Sequence, residues 1–120
     1  MATVKVVTDP HKRGDTWIGI LSIGPILINN LPPISSVVSC RIQYRSSSGV
    51  LGYELNSVPA IGKGIITIVN AVTWVFNIPK QFLPLETGNW DWDFETVDST
   101  GAIDTYYRGT QTILADISHD

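Results

Sequence analysis

An all-β fold, an antiparallel sandwich or barrel, is what this 120-residue sequence predicts. Three observations carry it. Thr, Val, Ile and aromatic residues recur in short runs, turn clusters separate the runs at regular intervals, and no window shows an apolar repeat of helical period capped at both ends. At 13.2 kDa the chain is expected to form a single domain, residues 1–120, around one core.

Strands are expected at residues 3–7, 16–23, 37–44, 51–56, 64–70, 73–78 and 89–97, followed by two closing runs at 103–107 and 110–117. Asp9-Pro10, Asn29-Asn30, Pro32-Pro33, Ser46-Ser47-Ser48-Gly49 and Pro79 punctuate them, and 79–86 has room for one helical turn. The clearest hairpin lies near the end. Trp90, Trp92 and Phe94 alternate with Asp91, Asp93 and Glu95, which places three rings on one face of a strand and three carboxylates on the other. Asp98-Ser99-Thr100-Gly101 then turns the chain, with Asp first and Gly last as a type I turn prefers. Gly109 reads as a bulge or kink between the closing runs. Burial of the three rings, at about 1.5–3 kcal/mol each, makes this hairpin the expected centre of the core.

Composition narrows the function classes. Apolar residues make up 43% and charged residues 16%, against about 25% charged in an average globular chain; mean hydropathy is +0.13. This excludes charge-driven disorder and a coiled coil. Eight basic and eleven acidic residues, net −3, give no electrostatic footprint for nucleic acid. A surface so poor in charge is expected to be covered by protein partners. The longest apolar stretch, 17–31, is interrupted by Ser22, Gly24, Pro25, Asn29 and Asn30 and falls short of the roughly 20 residues of a membrane helix. No signal-peptide pattern opens the chain, so a soluble, unexported protein without membrane contact is expected. One cysteine, Cys40, excludes an internal disulfide, and with His11 and His119 at opposite ends it forms no Cys-based metal site.

No cofactor and no catalytic set is expected. The Asp91/Asp93/Glu95 row has oxygen ligands that suit calcium, but a flat strand face cannot wrap an ion, so it reads as a solvated or partner-facing surface. His11 sits in a polar turn with Lys12 and Arg13, without a nucleophile elbow to serve. Arg13-Gly14-Asp15 spells an adhesion tripeptide short enough to arise by chance. Cys40 reads as a small core residue. Gly62-Lys63-Gly64 lacks the strand-to-helix setting of a phosphate loop. Trp17 and Trp74 read as core, with sugar stacking possible only if either faced outward.

Several segments together resemble immunoglobulin-like domains of phage tail and baseplate proteins, in particular the N-terminal domain of baseplate upper proteins. Arg13-Gly14-Asp15-Thr16-Trp17 resembles their opening G-D-T-aromatic signature, and Leu31 followed by Val38-Ser39-Cys40-Arg41 resembles the link and Arg-bearing strand. Residues 83–95 resemble L-x-x-G-x-Y-x-aromatic-D-I/L-E, with Trp90 where Tyr is usual. Residues 98–118 resemble the closing pattern, with Ser118 where Thr is usual. The resemblance implies an immunoglobulin-like antiparallel β-sandwich and a non-enzymatic virion protein, an adaptor or cementing subunit of the baseplate or tail tip. It also implies other virion structural proteins as partners and multiple copies in a symmetric assembly. It makes Gly88, Trp90, Asp93, Gly101 and Gly109 residues that hold the fold, to which the ring pattern adds Trp92 and Phe94. Because the chain ends soon after its last strand, no fused fibre is expected. A capsid decoration protein and a carbohydrate-binding module are the alternatives. Edge strands near either end, with Val4 and Val6 or Ile113 and Ile117, are the expected partner contacts.

Overall fold

The structure, a computed structural model, describes residues 4–7, 11–12, 16–17, 19–27, 31 and 33–114. Among these, twelve strands follow one another: β1 (Val4–Val7), β2 (His11–Lys12), β3 (Thr16–Trp17), β4 (Ile20–Ile23), β5 (Val37–Arg45), β6 (Leu51–Asn56), β7 (Gly64–Ile65), β8 (Thr67–Asn70), β9 (Val75–Ile78), β10 (Gln81–Phe82), β11 (Gly88–Asp98) and β12 (Ile103–Leu114). They build an all-β sandwich of one mixed and two antiparallel sheets. One layer is the sheet β1-β12-β11-β5-β6-β7, with β2 also pairing with β12. The facing layer is β4-β9-β8, continued by the short pair β3-β10.

The middle of the large sheet is antiparallel and follows the alternation in the sequence. Along β11, Trp92, Phe94 and Thr96 are buried, and Asp91 and Asp93 are exposed. They lie opposite Tyr44, Ile42 and Cys40 of β5, all buried on the same face. Phe94 reaches across the sandwich to Phe76 of β9, edge to face with ring centroids 4.9 Å apart. Trp17, Ile23, Ile26 and Ile78 complete one continuous core with Leu55, Leu83, Leu85 and Ile113. Trp90 is only partly buried, packed against the rim of that core with its Nε1–H donated to the Glu86 carbonyl at 2.9 Å. The Asp98 turn forms as its residues demand. Gly101 N–H donates to the Asp98 carbonyl at 2.9 Å, Asp98 Oδ1 accepts from the Thr100 and Ala102 amides, and Gly101 takes a φ of 85°.

Elsewhere the chain departs from the expected pattern. The runs 103–107 and 110–117 are one strand through Leu114, and Gly109 is not its bulge. Gly109 lies in register opposite Trp92, a buried residue without a side chain beneath a large indole. The extra residue is Tyr106, between the pairs Phe94–Tyr107 and Glu95–Thr105. Since strand side chains alternate with period two, this insertion reverses the phase of β12 and turns Tyr106 inward. The run 64–70 divides at buried Ile66, where the chain leaves the large sheet (β7 on β6) and joins the small one (β8 on β9). Residues 79–86 form no helical turn; Gln81 and Phe82 pair with β3.

The largest correction concerns the edges. β12 is not an edge strand, because β1 and β2 both pair with it in parallel. Ile113 is therefore not a partner contact: it is 1% exposed and part of the core. The outer strand there is β1, which carries Val4 and Val6; their backbone registers with Tyr107 and Gly109, and their side chains lie outside what the structure describes. Ile117 lies outside the described residues.

Two substitutions test this core. Phe94→Ala is expected to destabilise the protein by about 3–5 kcal/mol in chemical denaturation. Ile113→Lys is expected to abolish cooperative unfolding by burying an unpaired charge; a variant that unfolds like the parent contradicts the placement of Ile113.

Candidate functional site

The outward face of the large sheet holds the carboxylate row that the sequence singled out. Asp91 registers with Arg45, Asp93 with Gln43 and Arg108, and Glu95 with Arg41. Arg41 Nη2 lies 2.7 Å from Glu95 Oε1, a partly exposed ion pair. Asp93 contributes its backbone to the sheet, and its carboxylate faces solvent. Among the described residues, no group of three or more His, Cys, Asp or Glu side chains is placed to hold a metal ion. The row is a charged strand face flanked by its complement.

Beside it stands a stronger polar cluster that carries no motif. Glu54 is 7% exposed although it points to the outward face. Gln43 Nε2 donates to it at 2.8 Å, Asn56 Nδ2 at 3.0 Å, and Lys63 Nζ lies 2.7 Å away. Burial alone would raise the Glu54 pKa; the hydrogen bonds and the Lys63 charge outweigh it and bring the carboxyl from 4.5 down to about 2. Lys63, in the glycine-flanked turn, is thus the anchor of a buried carboxylate.

The remaining sequence candidates separate cleanly. Cys40 is buried, and loss of solvent pushes its thiol up to about 12 despite a lowering contribution from Ser57, so it is no nucleophile. Trp17, Trp74 and Trp92 are buried and offer no face to a sugar. Among the described residues the Trp92 Nε1–H has no hydrogen-bond partner, which costs about 1–3 kcal/mol. His11 lies on β2, and Arg13-Gly14-Asp15 lies outside the described residues.

The site that the sequence did not announce is one end of the sandwich. Three segments are tied together there by Val37 N–H to the Ala71 carbonyl, Ser99 N–H to the Ser36 carbonyl and Trp74 Nε1–H to the Ser35 carbonyl, at 2.8–3.0 Å. Trp74 is not a strand residue. It ends the turn before β9 with a φ of 59°, a left-handed conformation that costs a bulky residue about 1–3 kcal/mol. Its surroundings impose it. The indole meets Tyr106 edge to face at 5.6 Å, and a Cβ at Gly24 would collide with the Trp74 carbonyl oxygen, so that backbone closes tightly against it. Around this fixed ring lies a cavity of about 310 Å³ walled by Leu31, Ile34, Asp98, Asp104 and Tyr106. Leu31, Ile34, Val72 and Ile103 are exposed at the same end. No motif marks it; its only trace in the sequence is apolar residues between strands, at Leu31 to Ile34.

No protein-family model matches this chain, and no curated protein matches it. Among solved structures it is similar to CopC from Methylosinus trichosporium OB3b, at 16% identity and a TM-score of 0.41 over 72% of this chain and 74% of that one. A likeness that loose carries no argument about function.

The Glu54 cluster sets a pH dependence. Its folded pKa lies below that of a free glutamate, so its stabilisation is complete above pH 4.5 and is lost as the pH falls towards about 2. Through that window Glu54→Gln is expected to lose less stability than the parent, by on the order of 1–3 kcal/mol, in denaturant titrations at each pH. Parallel curves for the two proteins would refute the assignment.

Proposed function

We propose that this chain is a non-enzymatic assembly subunit that binds neighbouring proteins through the apolar end of its sandwich. The observation that carries the reading is that end itself. Leu31, Ile34 and Val72, between strands, and Ile103, at the start of β12, are exposed at an end whose segments are tied by hydrogen bonds at Ser35, Ser36 and Ala71 and by a strained Trp74. Exposed apolar side chains on an ordered frame are a feature of protein interfaces, and a frame already ordered loses little entropy on docking. The low charge content supports the same reading.

The finer placement, as an adaptor or cementing subunit of a phage baseplate or tail tip present in multiple copies, rests on the sequence resemblance at residues 13–17, 83–95 and 98–118. A glycan-binding role has less support, since three of the four indoles are buried in the core.

Incorporation is the test. Co-produced with the structural proteins encoded beside it, the parent chain is expected to co-sediment with a larger assembly. The double variant Val72→Asp, Ile103→Asp is expected to remain free while melting within about 4 °C of the parent, as for other surface changes. Normal incorporation of the variant, or a parent chain that never leaves the free fraction, contradicts the reading.

A further inference from the structure

The end cavity has a chemical character that an apolar contact alone does not require. Leu31, Pro33 and Ile34 form one wall, and Trp74 and Tyr106 form the floor. Asp98 and Asp104 supply its charge, and no Lys, Arg or His is among the described residues that line it. Neither carboxylate is ion-paired among the described residues.

Asp98 is held in place before any ligand arrives. Asp98 Oδ1 accepts from the Thr100 amide and hydroxyl and from the Ala102 amide, and these bonds keep its pKa below the usual carboxylate range. Asp104 Oδ2 stands 3.5 Å from the Tyr106 hydroxyl. Burial, then the charge of Asp104 and more weakly that of Asp98, pushes the Tyr106 phenol up to about 12, so it stays a neutral donor beside two anions. The floor is equally fixed, by the Trp74 hydrogen bond to Ser35 and the Trp74–Tyr106 contact.

Few ligand chemistries satisfy such a cavity. A purely apolar group would strip water from two carboxylates and return nothing. A bare metal ion would find too few oxygens and an apolar wall it cannot use. A cationic head on an apolar stem matches both halves: the head lies between the carboxylates, and the methylenes lie along Leu31 and Ile34. A volume near 310 Å³ is at the low end for ligand cavities, about 300–1,000 Å³, and suits one side chain. We propose that this cavity is a socket for a Lys or Arg side chain carried on an apolar segment of a neighbouring protein subunit. The socket rests on the assembly reading and names the chemistry of the partner.

The test uses small probes and the intact chain. N-acetyl-arginine amide, N-acetyl-lysine amide and the uncharged N-acetyl-norleucine amide are titrated into ¹⁵N-labelled protein and followed by NMR. Both cationic probes are expected to shift the Trp74 indole N–H and the Tyr106 amide saturably, and the norleucine probe is not. Asp104→Asn and Leu31→Ser are each expected to weaken the cationic probes about 3–5-fold, with unchanged spectra elsewhere. Asp98 is left intact because it caps a turn. Equal shifts from norleucine, shifts centred on Asp91 and Asp93, unchanged affinity in Asp104→Asn, or no saturable shift with either cation would overturn the socket. None of those results touches the assembly reading, which is tested through Val72 and Ile103, outside the cavity.

Discussion

The contact between Phe94 and Phe76 joins the two layers of the sandwich, and the rest of the structure depends on it. The rings meet edge to face at an interplanar angle of 72° from facing sheets. Such pairs contribute about 0.5–1.5 kcal/mol beyond the area they bury. The larger consequence is geometric. With Phe94 inward, a period of two sends Trp92 and Thr96 inward and Asp91, Asp93 and Glu95 outward. The acidic row is thus the far side of the core, and its opposite charges at Arg41 and Arg45 stand on the neighbouring strand at the same register.

Departures from that regular pleat build the functional end. The extra residue at Tyr106 in β12 and the extra residue at Val38 opposite Val97 and Asp98 in β5 both fall where the sheet approaches the Asp98 turn. Each reverses the side-chain phase, so Tyr106 and Val37 face the interior at positions an uninterrupted strand would turn outward. Tyr106 then meets Trp74, and the resulting floor can lie only where the loops of both layers converge. The left-handed backbone of Trp74 and the exposed Leu31, Ile34, Val72 and Ile103 thus fall at the same end of the sandwich.

The sequence revealed what is local. The alternation from Trp90 to Glu95 and the Asp98-to-Gly101 turn are written in adjacent residues, and residues 51–56 form the strand expected there. What it hid is non-local. Nothing in residues 4–7 or 11–12 signals parallel pairing with β12, so a covered strand looked like an edge and Ile113 like a surface residue. Gly109 drew attention as a bulge because glycine often marks one, whereas the inserted residue was a tyrosine whose inward turn is imposed by a partner thirty-two positions earlier. The end cavity takes its walls from Leu31, Pro33 to Ser35, Trp74, Asp98, Asp104 and Tyr106; only the Asp98 turn carries a local pattern, and that pattern says nothing of a cavity. The Glu54 cluster was hidden for the same reason: its partners come from three separate places in the chain.

Native-state amide hydrogen exchange tests the primacy of β11 most directly. If the Phe94 layer contact organises the fold, the amides of residues 92–96 exchange last, with a free energy equal to that of global unfolding, and those of β8 and β10 exchange earlier through local opening. Exchange of residues 92–96 ahead of β8, by an opening smaller than global unfolding, would show that the two layers are held together elsewhere.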